Sequence, residues 1–221
     1  MKILIIGGNG QLGSDINLVL SKQGYLCTCV GSEQLDITSS NFEAYFKDKN
    51  FDYIINTSAY HNLELCEENK RNAVEVNSIS LYKLSQICNL QDSILIHFST
   101  DYVFDGYSKS PYLEIDTPNP LNVYGHTKLL GEKIIEYMCD KYYIIRTSGL
   151  YGKHPCRGKG KNFVDLMLHL AKTNKEIKVV DNEELCPTNT YLLSKQVFQM
   201  MHSNIPYGLY HAVSNGSCTW Y

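Results

Sequence analysis

The sequence predicts an α/β protein: a Rossmann-like, doubly wound parallel sheet carrying a smaller lobe. Three observations predict it. Short β-branched apolar runs alternate with stretches whose apolar residues recur three and four apart. The strand runs are nearly continuous in apolar residues, as in strands covered by helices on both faces. The first of them opens directly into a glycine-rich turn, Gly7-Gly8-Asn9-Gly10-Gln11-Leu12-Gly13. Such alternation builds βαβ units with right-handed crossovers.

In chain order, Lys2–Ile6 is the first strand and Gln11–Lys22 the helix after the glycine turn. Leu26–Val30 and Asp52–Asn56 read as the next strands, Asn69–Cys88 as a long helix, and Ser93–Phe98 as a fourth strand. Leu121–Cys139 has helical spacing, and Tyr142–Arg146 is a fifth strand. Beyond Arg146 the pattern loosens. A basic, glycine-containing loop at Gly152–Lys161 leads to a helix over Asn162–Lys172, a short strand near Ile177–Val180 and a helix over Thr190–Met201. The expected division is a main domain over residues 1–150 and a smaller lobe over 151–221, packed on the sheet's edge.

Composition removes several classes of function. At 221 residues, 43% hydrophobic and 19% charged with only 6 Pro, the chain is neither disordered nor collagen-like. A chain of this size buries about 70% of its unfolded surface, so its core needs no disulfide or metal. The net charge of −3 gives no overall sign of a nucleic-acid partner. Apolar runs such as Ile3–Ile6 fall far below the ~20 residues of a membrane span, and Gly7 breaks the first too soon for a targeting signal. The 8 cysteines form no CxxC pair and have no histidine at zinc-ligand spacing, so they read as free thiols of a reducing cytoplasm, with no metal.

Gly7, Gly10 and Gly13 supply what a pyrophosphate needs: a tight turn, close backbone approach and close helix packing. The helix start, including Gln11 and Leu12, adds unpaired N–H donors and a positive dipole. The 2′-position is less explicit. The second strand ends in Val30-Gly31-Ser32, with neither an acid for a 2′-hydroxyl nor an arginine for a 2′-phosphate; Glu33 lies past the strand end. The cofactor is NADPH or NADH, with the missing acid leaning toward NADPH.

Two segments carry the chemistry. His97-Phe98-Ser99-Thr100-Asp101-Tyr102 ends a strand on the side where open α/β sheets bind ligands. Tyr124-Gly125-His126-Thr127-Lys128 places a phenol and an ammonium on one helix face. A phenol with an ordinary pKa near 10 exchanges protons poorly at neutral pH. A lysine one turn away supplies the charge that brings it into range. With the Thr100 hydroxyl to hold a carbonyl oxygen, these are the parts for carbonyl reduction by hydride. His97, in a buried strand, reads as a satisfied core histidine.

On these segments the chain resembles the extended short-chain dehydrogenase/reductases, and within them it is similar to the dTDP-4-dehydrorhamnose reductase family. The resemblance runs through Gly7–Gly13, Leu35-Asp36-Ile37-Thr38, Asn56–Tyr60, Ser99–Gly106, Asn122–Lys128 with Gly131-Glu132, Arg146-Thr147-Ser148, Cys186-Pro187-Thr188 and Gly208–His211. It implies that Tyr124 protonates a sugar C4 keto oxygen. Lys128 would hold the nicotinamide ribose and lower the Tyr124 pKa, and Thr100 would orient the carbonyl. It further implies that Asp36 and Ile37 border the adenine, that Ala59 and Tyr60 line the diphosphate and ribose path, and that Asn77 supports the site from behind. Tyr102, His61, Glu64 and Gly149 would face the sugar, with Glu67 nearby. His61 stands where the family has a small hydroxyl residue, Gly149 where it has a tryptophan, and Asn182-Glu183-Glu184-Leu185 where it has Asp-Gln-x-Gly. The resemblance makes residues 1–150 the dinucleotide-binding Rossmann domain and 151–221 a partial, C-terminally truncated substrate lobe: family members continue past Trp220-Tyr221, so this ending is expected to expose apolar surface.

The implied function is reduction of the C4 keto group of a nucleotide-linked 6-deoxy sugar, dTDP-4-dehydrorhamnose to dTDP-rhamnose, feeding surface-polysaccharide synthesis. The alternatives are a reductase or epimerase of another nucleotide sugar, and a catalytically idle NAD(P)-binding regulatory subunit. A nucleotide-sugar substrate and a homodimer are the expected partners. The cations of Lys153–Lys161 read equally as a solvated loop or as a clamp for the sugar diphosphate.

Overall fold

The computed structural model describes residues 1–156, 160–174 and 176–221. Its centre is a six-stranded sheet of β1 (Ile3–Ile6), β2 (Cys27–Val30), β3 (Tyr53–Asn56), β4 (Ile94–Thr100), β5 (Tyr142–Thr147) and, far along the chain, β9 (Gly208–His211). The order is β2-β1-β3-β4-β5-β9 and every pairing is parallel. The chain passes from β1 to β2 on one side and then to β3 on the other. The crevice at the carboxyl ends of β1 and β3 is therefore a topological switch point.

Alternate strand residues feed two cores. Leu4, Ile6, Ile54, Leu95 and Ile144 point to one face, where α4 (Ser80–Gln91) and α5 (Val123–Met138) bring Leu81, Leu84, Ile87 and Ile135. Ile3, Ile5, Ile55, Ile96 and Ile145 point to the other. There α1 (Gln11–Lys22) and α7 (Thr190–Met201) contribute Leu12, Ile16, Leu20, Leu193 and Val197. Burial on both faces is why these strands read as continuous apolar runs. The helix α7, expected in the smaller lobe, packs against α1 on the main sheet, and β9 after it supplies the sheet's edge.

The long helix expected over Asn69–Cys88 forms as one continuous helical run over residues 70–91, with a π-helical turn inside it. After α2 (Leu63–Glu68) come α3 (Lys70–Val74), a π-helical turn at Glu75–Ile79 and α4. The extra residue in the turn aims Asn77 at the strand ends. The strand expected near Ile177–Val180 does not form; that segment has no regular structure and pairs with no strand. The remaining elements, β6 (Leu150–Tyr151), α6 (Phe163–Thr173), β7 (Glu184–Leu185), β8 (Thr188–Asn189) and β10 (Cys218–Thr219), make two small two-stranded pairings, β6 with β8 and β7 with β10, beside the crevice. Among the described residues no helix is long and apolar enough to cross a membrane.

Candidate active site

The switch point opens into a cavity of about 1000 Å³. One end is made by the turn after β1. The N-terminus of α1 has no side-chain cap, so the N–H groups of its first turn remain for a ligand. Close packing demands the glycines: a Cβ on Gly7 would stand 2.6 Å from Thr57 Oγ1, and one on Gly13 2.4 Å from the Gly7 carbonyl oxygen. Gly7, Gly10, Gln11 and Leu12 line the cavity, whereas Gly13 lies behind the loop as its packing contact. Gly31, Ser32, Asp36 and Ile37 form the far wall. The Asp36 carboxylate is engaged by the N–H and hydroxyl of Thr38, 2.9 and 2.7 Å away. An extended wall of backbone, an uncapped helix start and glycines that admit no Cβ fit a dinucleotide.

Ala59, Tyr60 and His61, after β3, continue the wall. Asn77 clamps the backbone of Tyr60 from behind, accepting from its N–H (2.8 Å) and donating to its carbonyl (2.9 Å), and also donates to Thr127 Oγ1 on α5. His61 Nε2 lies 3.3 Å from Cys156 Sγ across the cavity mouth.

At the other end stand Thr100, Tyr102, Tyr124 and Lys128. Asn122 caps α5 by accepting from Gly125 N–H, and Glu67 Oε1 accepts from Val123 N–H at 2.8 Å. Glu67 is thus an N-terminal cap for the helix that carries Tyr124 and Lys128. Glu64 is exposed on α2 and does not line the cavity. Thr100 Oγ1 donates to Asp101 Oδ1 at 3.0 Å and accepts from Tyr102 N–H at 3.2 Å. Asp101 also accepts from Ser148, and its burial raises the carboxyl pKa against these hydrogen bonds.

Lys128 differs from the arrangement anticipated for it. Its side-chain nitrogen is turned to His97 Nε2 (2.9 Å) and the Phe98 carbonyl oxygen (2.6 Å), and among the described hydrogen bonds none joins it to Tyr124. Burial pushes Lys128 down to about 8, with Glu132 acting in the opposite sense. Burial pushes the Tyr124 phenol well above its ordinary value; Thr100 opposes this and Asp101 adds to it. In this structure, then, Tyr124 is a firmly protonated acid.

Beside Tyr102 the cavity wall contains two residues that the sequence offered only as a departure and as the chain's end, Glu183 and Trp220. Tyr102 donates to Glu183 Oε1 at 2.7 Å and Trp220 Nε1 donates to Glu183 Oε2 at 2.9 Å. The Trp220 ring lies 4.2 Å from that of Phe163, and all four residues line the cavity. Gly149 has φ +47°, and a Cβ there would meet Leu185 Cδ1 at 2.5 Å, so Leu185 fills the space beside it. Of the basic loop, Lys161 lines the cavity, while Arg157 and Lys159 lie outside the described residues.

A family model described as the RmlD substrate binding domain matches residues 1–221. The dTDP-4-dehydrorhamnose reductase of Escherichia coli K12 is 34% identical over 235 residues, covering 100% of this chain and 75% of its own. A dTDP-4-dehydrorhamnose reductase structure from Clostridium acetobutylicum superposes with a TM-score of 0.92 at 37% identity, over 100% of this chain and 77% of that one. One from Bacillus anthracis, in complex with NADP, gives 0.92 at 34% identity, over 99% and 76%. With the whole described crevice inside these matches, the chain belongs to the RmlD substrate binding domain family.

Proposed function

We propose that this protein is an NAD(P)H-dependent oxidoreductase that reduces the C4 keto group of a nucleotide-linked 6-deoxy sugar, converting dTDP-4-dehydrorhamnose to dTDP-rhamnose. One observation carries the reading: Thr100, Tyr124 and Lys128 meet at one end of a single cavity whose other end is the uncapped glycine turn of α1. The relatives' names point the same way, and the NADP bound by the Bacillus anthracis protein supports NADPH here.

A bound nicotinamide would supply a hydride to the C4 carbon. Tyr124 gives its phenolic proton to the C4 oxygen, completing the alcohol, and is reprotonated from solvent. Its high pKa keeps that proton in place until negative charge develops on the oxygen. Thr100, tied to Asp101, stands beside the Tyr124 phenol, whose pKa it draws down against burial, and orients the carbonyl oxygen. Lys128 would hold the ribose of a bound nicotinamide. Residues 1–150 thus serve the dinucleotide, while Phe163, Glu183 and Trp220 from residues 151–221 close over the sugar. The same reading places the protein in the cytoplasm, where its thiols stay reduced.

The specific pairing of Gly149 with Leu185, and of His61 with Cys156, favours a second substrate reading, a different nucleotide-linked keto sugar, on the same machinery. The test follows NADPH oxidation with dTDP-4-dehydrorhamnose. Tyr124→Phe is expected to lower kcat by about 10²–10⁴-fold while NADPH still binds. Undiminished turnover in Tyr124→Phe overturns the proposal; turnover only with another nucleotide sugar selects the second reading.

A further inference from the structure

His97 stands in β4 at 1% exposure, between Asn56 of β3 and Lys128 of α5. Asn56 Nδ2 lies 3.2 Å from His97 Nδ1, and Lys128 Nζ lies 2.9 Å from Nε2. Which atoms carry hydrogens follows from Asn56. Its Oδ1 accepts from both the backbone N–H and the hydroxyl of Ser58, so its NH₂ group is the end that faces the ring. An amide nitrogen only donates, and Nδ1 must accept. A neutral imidazole has one ring hydrogen, which therefore sits on Nε2 and points at Lys128.

An ammonium has no lone pair to receive that hydrogen. The bond closes when Lys128 is an uncharged amine that accepts from Nε2–H and donates to the Phe98 carbonyl oxygen. The other groups around Lys128 do not outweigh this. Glu132, on its own helix, is spent on Arg146 of β5 and on the Ser99 hydroxyl, and Tyr124 is a neutral phenol. Burial, too, favours the amine and keeps His97 from charging.

The geometry points to His97 as a positioning residue that, together with Asn56, sets the pH at which Lys128 takes up its proton. When one proton enters from solvent, Nζ ends as an ammonium and the single ring hydrogen ends on Nδ1, leaving the Nε2 lone pair toward Lys128. The Asn56 amide must then turn its oxygen to Nδ1–H and give up its bonds from Ser58. Charging Lys128 is coupled to a tautomer exchange and an amide rotation, and both oppose it. The mechanistic consequence rests on the reductase reading, in which Lys128 holds the nicotinamide ribose beside Tyr124.

Two variants relax the coupling. Asn56→Asp offers an acceptor to Nδ1–H at all times, and His97→Gln can turn an amide oxygen to the ammonium. Each is expected to move the alkaline limb of kcat/KM upward by about one pH unit, since one unit is about 1.4 kcal/mol, the scale of a single hydrogen bond. Damage to packing alone would lower activity without moving the limb in one fixed direction. A limb that stays in place, or moves to lower pH, in both variants overturns the proposal.

A readout without turnover is the imidazole ¹⁵N spectrum of the full chain labelled in histidine, followed between about pH 6 and 10 to span the ordinary histidine and lysine values. The expected result is Nε2–H above the Lys128 titration and Nδ1–H below it, with no doubly protonated ring. Nδ1–H at every pH, or an imidazolium near neutrality, overturns the proposal. If His97 behaves as stated but no nucleotide keto sugar is reduced, the reductase reading falls and the proton arrangement stands.

Discussion

Arg146 and Glu132 form a two-pronged ion pair inside the protein, with Nε to Oε1 at 2.9 Å and Nη2 to Oε2 at 2.7 Å, at side-chain exposures of 4% and 0%. The pair joins β5 to α5 one turn after Lys128, and Ser99 of β4 donates to the same carboxylate. Breaking one side of a buried pair leaves the other charge without compensation, at a cost of about 3–5 kcal/mol. Glu132→Ala is therefore expected to lose that much stability in urea denaturation. A loss below about 1 kcal/mol, the range of an exposed pair, would show that water reaches Arg146.

Much of this architecture is written in local patterns, and the exceptions have identifiable causes. Gln11–Lys22 and Thr190–Met201 are helices over the spans expected from spacing, because their apolar stripes face a sheet. The glycine turn was legible because close backbone approach permits no other residue at Gly7 and Gly13. By contrast, β9 has only Gly208-Leu209-Tyr210-His211, a half-buried edge whose pairing with β5 is entirely non-local. Val179 and Val180 looked like a strand and found no neighbour. At the site, Tyr124 and Lys128 are one helical turn apart in any sequence that folds this way, but the turn of Lys128 toward His97 depends on a register between α5 and β4. Trp220 and Glu183 meet only because two distant segments pair as β10 with β7.

Burial of Lys128 makes a pH-dependent contribution to stability. Its pKa is about 8 in the folded chain against 10.5 for the ordinary group, so between these values the unfolded state binds more protons. Stability from this group consequently rises with pH across that window. Below about 8 the full cost is present, at roughly 3 kcal/mol for a shift of this size. Lys128→Met is expected to be more stable than the parent at pH 7 by up to that amount. The advantage should fade as pH climbs toward 10.5. Equal stability at pH 7 would show that hydrogen bonds to His97 and Phe98 already offset the desolvation.

The glycine turn separates two substitutions that look alike in sequence. A methyl group on Gly13 would meet backbone, the Gly7 carbonyl at 2.4 Å and Gly8 Cα at 2.8 Å, neither of which yields without opening the loop. Overpacking of this kind costs about 1–3 kcal/mol, which corresponds to a loss of roughly 5- to 150-fold in NADPH affinity if it falls on the bound form. On Gly10 the same methyl meets only the Gly7 oxygen at 3.2 Å, and its φ of −82° suits any residue. Titration calorimetry with NADPH should therefore show Gly13→Ala much weaker than Gly10→Ala. Equal affinities would mean that the loop does not carry the pyrophosphate.

Glu183 couples two aromatic side chains at the end of the cavity proposed to take the sugar, Tyr102 from the turn after β4 and Trp220 from beyond β10. Removing the carboxylate leaves the Tyr102 hydroxyl and the indole N–H without their acceptor, and burial together with Glu183 is what holds the Tyr102 phenol well above its ordinary value. Glu183→Ala is expected to raise KM for the nucleotide sugar about tenfold, the worth of roughly one hydrogen bond, while NADPH affinity stays put because the glycine turn lies at the opposite end of the cavity. The chain has 1 tryptophan, so its fluorescence reports this residue alone. In the variant the emission should move to the red as the indole loosens from Phe163 and meets water. An unshifted spectrum with unchanged KM would show that the Phe163 ring alone holds Trp220 and that Glu183 does not shape the sugar pocket.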